Sequence, residues 1–136
     1  MMSHERVIAW QKAMELAEEI YRLMPLLPVE ERYGMRSQMT RASVSTPSNI
    51  AEGWARNTER DRARFVAIAH GSLCELNTQL MLCVRLGWIT PEQAQRSSTL
   101  IDEISRIFNV LRQRMKASIQ ASSYSAPRNW RPIAGN

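Results

Sequence analysis

The sequence predicts an all-α fold, an antiparallel up-and-down four-helix bundle, on three observations. Apolar residues recur three and four positions apart through four separate segments, the spacing of helices that each bury one stripe. No segment alternates apolar and polar residues as a half-buried strand would. The segments are divided by helix stop and start signals. The strongest is Thr90-Pro91-Glu92-Gln93, with an N-cap threonine, proline at the first helical position and Gln at the third. At 136 residues one domain can bury a core, and the expected division is a bundle over 1–120 and a basic tail over 121–136.

The first helix starts at Ser3 or His4 and carries Val7, Trp10, Met14, Ala17, Tyr21 and Met24 as its stripe. Pro25 and Pro28 stop it. A second helix is expected from Val29-Glu30-Glu31, whose acids suit the positive end of a helix dipole, or from a later start marked by Gly34, which weakens those first turns. Tyr33, Met35, Met39, Val44, Ile50 and Trp54 supply its bulk, among the small residues Ala42, Ser43, Ser45, Ser48 and Ala51. Pro47 permits either a continuous, kinked helix or a break with Thr46 as a new N-cap. Gly53 marks the approach of the helix end.

Thr58-Glu59-Arg60-Asp61 caps a third helix with Phe65, Ala69, Ser72 or Leu73, Leu76, Leu80, Cys83 and Val84 as its stripe; Gly87 closes it. The fourth carries Leu100, Ile104, Ile107 or Phe108, Leu111 and Met115, reaching Ile119. From Ser122 the chain loses its period and gains two prolines, the mark of a disordered tail.

The net charge of +5 is unevenly placed. No Asp or Glu follows Glu103, whereas Arg106, Arg112, Arg114, Lys116, Arg128 and Arg131 do; the rest of the chain sums to about −1. All but two of the 18 basic residues are arginine, which pairs bidentately with phosphate. The longest apolar run, Leu80 to Val84, is far short of the roughly 20 residues a membrane span needs. No secretory signal is visible at the N-terminus. Cys74 and Cys83 on one helix would stand about 13 Å apart, too far to bridge. The expectation is a reduced, cytoplasmic protein without a membrane partner.

Candidate chemistry is sparse. His70, Cys74 and Asn77 share one helix face, but a thiolate–imidazole pair needs a preorganised site, and packing residues are the better account. No Glu-x-x-His motif and no second Cys/His pair supports a metal, and no phosphate-binding glycine loop is present; neither metal nor cofactor is expected. Glu52 and Glu75 are expected to pair with Arg36, Arg41 or the hydroxyls of Ser45 and Ser48, or to cap a groove between helices, rather than act as acid and base. Arg56, Arg60, Arg62 and Arg64 crowd the start of the third helix, with Glu59 and Asp61 between them. Trp130, between Arg128 and Arg131, has the chemistry of a base-stacking residue.

Several segments together resemble a known family: Trp10-Gln11-Lys12-Ala13, YGMRSQMTRA, SVSTPSNIAEG and GSLCELNTQL, within Val7 to Leu111. They are similar to the four-helix-bundle proteins encoded in 23S ribosomal RNA intervening sequences. The resemblance implies the continuous, proline-kinked second helix and a ring-like homopentamer. Related bundles are accessory proteins of diversity-generating retroelements that bind a reverse transcriptase and nucleic acid. It implies no catalytic residues. Thr46 stands where a larger aliphatic is usual, and Trp54 where Phe or Tyr is usual.

Ile8, Leu16, Ile20, Leu23, Ile68, Leu82 and Ile101 fall partly off the four stripes, which points to subunit contacts or to a wider core. The expected function is a non-enzymatic, oligomeric bundle binding RNA or a ribonucleoprotein. Arg56, Arg60, Arg62, Arg64, Arg112, Arg114 and Lys116 would contact phosphate, and Trp130 would stack. The competing expectation is a protein adaptor whose groove, around Ser45, Pro47, Ser48, Asn49, Glu52 and Glu75, holds a partner helix.

Overall fold

The computed structural model describes residues 3–123. Four helices account for most of them: α1 (His4–Leu23), α2 (Met35–Trp54), α3 (Glu59–Arg85) and α4 (Pro91–Ser123). Each packs on the next in sequence and α4 returns onto α1, closing a ring around one core. The pairing of Glu5 with Arg114, Lys12 with Glu103 and Glu15 with Arg96 shows α1 and α4 running antiparallel.

The cap signals hold. Ser3 accepts from the Arg6 amide at the start of α1, and Thr58 accepts from the Asp61 amide at the start of α3. At Thr90 the bonds are reciprocal: its hydroxyl accepts from the Gln93 amide at 3.1 Å while its own amide donates to Gln93 Oε1 at 2.9 Å. Gly87 ends the α3 turn at φ 77°, a conformation that side chains resist.

α2 runs through Pro47 without a break. Pro47 has no amide proton, so the Ser43 carbonyl lacks its helical donor; both residues are buried, as is Thr46, whose hydroxyl donates to the Ala42 carbonyl at 3.1 Å. Of the two starts expected for α2, the structure has the later one, marked by Gly34, and not Val29. Val29–Glu31 form a separate 3-10 turn, and α2 begins at Met35 after Gly34. Tyr33, expected to supply bulk, is 90% exposed.

The buried face of α1 also differs from the expected stripe. Ala9, Ala13, Leu16, Ile20 and Leu23 are in the core; of the expected stripe Met24 is buried and Val7 and Trp10 pack against the core, while Met14 and Tyr21 are exposed. The helix is turned by about one residue, roughly 100°, because two alanines mark its closest approach to its neighbours. On α3, Val66 replaces Phe65 as the buried residue. Leu16, Ile20, Leu23 and Ile101, read as surplus, therefore belong to this core, and only Ile68 and Leu82 of that group are clearly exposed. α4 continues to Ser123, three residues past the expected bundle boundary at 120. The tail and Trp130 lie outside the described residues.

Candidate nucleic-acid interface

Because α3 and α4 are consecutive and packed, the arginine-rich start of α3 lies beside the acid-free end of α4. Between them runs an open groove of about 550 Å³. Ala63 and Ala67 keep the α3 wall low, Ile119 supplies apolar floor, and Arg112 and Lys116 stand on the α4 side. Arg60 and Arg64 sit three residues before those alanines, on the same face of α3.

Of the seven cations, three are paired with acids, three have no partner among the described residues, and Arg112 is held by a histidine. Arg56 pairs with Glu52 at 3.2 Å and its guanidinium lies 4.7 Å over the Phe65 ring. Arg62 pairs with Glu59 at 3.5 Å and donates through Nε to the Arg56 carbonyl at 2.9 Å. Arg114 pairs with Glu5 at 2.6 Å. These three have their charge answered within the chain. Arg60, Arg64 and Lys116 are exposed, with no ion-pair or hydrogen-bond partner among the described residues.

Arg112 has no carboxylate partner; it donates to His70 Nδ1 at 3.1 Å. An arginine has no acceptor atom, so Nδ1 accepts and the imidazole proton sits on Nε2. Burial, then the Arg112 charge, holds the His70 pKa below its ordinary value, keeping the ring neutral. Its ring packs at a tilt on Phe108, with centroids 5.5 Å apart. His70 therefore braces Arg112 at the groove, a link between helices that spacing along α3 alone did not show.

The residues read as a partner groove separate. Ser45 and Glu75 line a cleft of about 390 Å³ between α2 and α3, together with Arg41 and Ser72. The Ser45 and Ser72 hydroxyls lie 2.8 Å apart, and Asn49 Nδ2 donates to the Ser45 carbonyl and hydroxyl at 2.8 and 3.0 Å. Pro47 faces the core, whereas Ser48 and Glu52 face outward. The expected partners of the two acids are wrong. Glu52 holds Arg56 one turn on, and Glu75 accepts from Gln79 at 3.3 Å. Helical neighbours are always within reach, which favours them over distant arginines.

Cys74 and Cys83 are both free thiols, exposed and buried respectively; Cys83 Sγ lies 3.6 Å from Met39 Sδ. Burial pushes the Cys83 thiol pKa up, the opposite of a nucleophile. No group of three His, Cys, Asp or Glu side chains suited to a metal occurs among the described residues. No described helix is long and apolar enough to cross a membrane. Sequence reading missed Arg6, which is only 9% exposed at the α1 end of the core. The signal was present, since Arg6 is in phase with Ala9, Ala13, Leu16 and Ile20.

A solved protein of unknown function from the S23 ribosomal protein family of Bacteroides thetaiotaomicron VPI-5482 is 23% identical in sequence. The alignment covers 82% of this chain and 99% of that one, with a TM-score of 0.72, a likeness of fold. No curated protein matches the sequence. A family model described as 23S rRNA-intervening sequence protein matches residues 5–110, so Arg112, Arg114 and Lys116 lie beyond the matched part. With most of its length in that match, and with the four-helix fold to accompany it, the chain belongs to the 23S rRNA-intervening sequence protein family.

Proposed function

We propose that this protein is a non-enzymatic, self-associating bundle that binds the phosphate backbone of RNA along the α3–α4 groove. The observation that carries the reading is Arg112 and Lys116 lining one groove, with Arg60 and Arg64 one turn before the alanines of its α3 wall, each without a carboxylate partner among the described residues. Cations that no internal acid answers gain most from an external anion. The family's name associates its genes with ribosomal RNA, which makes RNA or a ribonucleoprotein the natural ligand to test. The free cysteines accord with a reducing, cytoplasmic setting.

A salt titration tests the proposal. Each phosphate neutralised adds about 0.7–0.9 to the slope of log affinity against log salt, so four cations give a slope of roughly −3. Affinity for RNA that ignores salt, or no binding at low salt, would refute it.

Self-association rests on apolar side chains left at the surface, among them Val44, Ile68, Met81 and Leu82. The homopentamer is the assembly proposed, and light scattering that returns a 15.6 kDa species would remove it. The α2–α3 cleft supports a second reading, an adaptor that takes a polar partner helix against Ser45, Ser72 and Glu75. That reading stands alone if RNA does not bind.

A further inference from the structure

At the end of the bundle where α1 starts and α4 finishes lies a second cleft, of about 340 Å³, separate from the α3–α4 groove. Three arginines line it: Arg6 from α1, Arg62 from α3 and Arg114 from α4. Two acids line it as well, but each is engaged, Glu5 with Arg114 at 2.6 Å and Glu59 with Arg62 at 3.5 Å. Arg6 is the one of the three without an ion pair among the described residues. It is nine-tenths buried, and its side chain makes one contact of hydrogen-bond type, Nη2 to Met115 Sδ at 3.6 Å. A guanidinium carries five N–H donors and thioether sulfur is a weak acceptor, so donors of Arg6 remain for a ligand in the cleft. Taking a guanidinium out of water is costly, and a bound counter-ion relieves that cost.

We propose that this cleft binds one oxyanion, a phosphate or carboxylate group, held by the Arg6 guanidinium. The surrounding charges leave a surplus of one cation, which suits a single anionic group rather than a polyanion. Trp54 forms one wall and stays 40% exposed, offering a flat apolar face to whatever carries that group. Ser118 places a hydroxyl at the α4 side. Burial lowers the Arg6 pKa from its ordinary value, the Glu59 carboxylate opposing the shift and the Arg62 charge adding to it.

Thermal unfolding of the full chain, with sodium phosphate or sodium acetate compared with sodium chloride at equal ionic strength, tests the proposal. An oxyanion at ten times its dissociation constant should raise the midpoint by roughly 5 °C. A larger response to phosphate assigns the site to phosphate groups, and a larger response to acetate assigns it to carboxylates. Arg6→Met, of similar reach and uncharged, should abolish the response, whereas Arg60→Gln should keep it. Ser118→Glu, an exposed position, should abolish it too by supplying a carboxylate from within, and serves if Arg6→Met does not fold. Equal midpoints in the three salts overturn the proposal, as does a full response in Arg6→Met or, failing its folding, in Ser118→Glu.

Discussion

The backbone of Gly53 lies against Phe65 so closely that a β-carbon there would stand 2.7 Å from the Phe65 β-carbon and 3.4 Å from the Arg62 carbonyl oxygen. This contact joins the last turn of α2 to the first turns of α3, and so sets where Arg60, Arg62 and Arg64 emerge. Gly53→Ala should therefore destabilise the protein by about 1–3 kcal/mol, despite the better helix propensity of alanine. Gly71 has open space around its α-carbon, and Gly71→Ala should stabilise by about 0.5–1 kcal/mol. Urea unfolding of the two variants gives opposite signs if the close approach is real.

The orientation of α1 makes a second contrast. Leu16 is fully buried and Met14 is exposed. Leu16→Ala should cost about 2–5 kcal/mol. Met14→Ala should cost less than about 1 kcal/mol. Equal losses in denaturant midpoints would return Met14 to the buried stripe.

His70 gives the fold a mild acid sensitivity. Its pKa is below the ordinary 6.5 because of burial and the nearby Arg112. The unfolded chain therefore takes up a proton there at a pH where the folded chain does not. Stability should fall as the pH drops through 6.5, and level off below the folded-state value. His70→Gln should remove that part of the slope, read as unfolding midpoints between about pH 7.5 and 5. Glu5 and Glu103 act in a lower window. Hydrogen bonds from Arg114 and Lys12 hold them below 4.5, so their contribution persists above 4.5 and is lost as the pH falls through their folded values.

The paired and unpaired basic residues should behave differently toward RNA. Arg60→Gln, Arg64→Gln and Lys116→Gln should each weaken binding and reduce the salt slope by about 1. Arg56→Gln and Arg114→Gln should change it less, because Glu52 and Glu5 already occupy those guanidinium groups. Filter binding at several salt concentrations measures both.

The helix boundaries at Thr58 and Thr90 were legible because a capping side chain and its backbone target lie three residues apart, a local relationship. The face of α1 was not. Val7, Trp10, Met14, Ala17, Tyr21 and Met24 make a bulky stripe, and beside it runs Ala9, Ala13, Leu16, Ile20 and Leu23. Which stripe is buried depends on how near the neighbouring helices come, and the alanines decide it. The same error concealed Arg6. The charges of the basic residues were visible in the sequence, but their pairing was not, since Glu5 meets Arg114 across 109 positions.

Ring closure by α4 on α1 has a consequence for the growing chain. Lys12 and Glu103 meet across 91 positions, whereas the other extensive helix–helix interfaces join consecutive helices. During synthesis the first three helices can assemble as they emerge, yet one flank of the opening helix stays bare until the fourth arrives. A transcript truncated before that point would yield a sticky fragment, prone to aggregation rather than to partial activity.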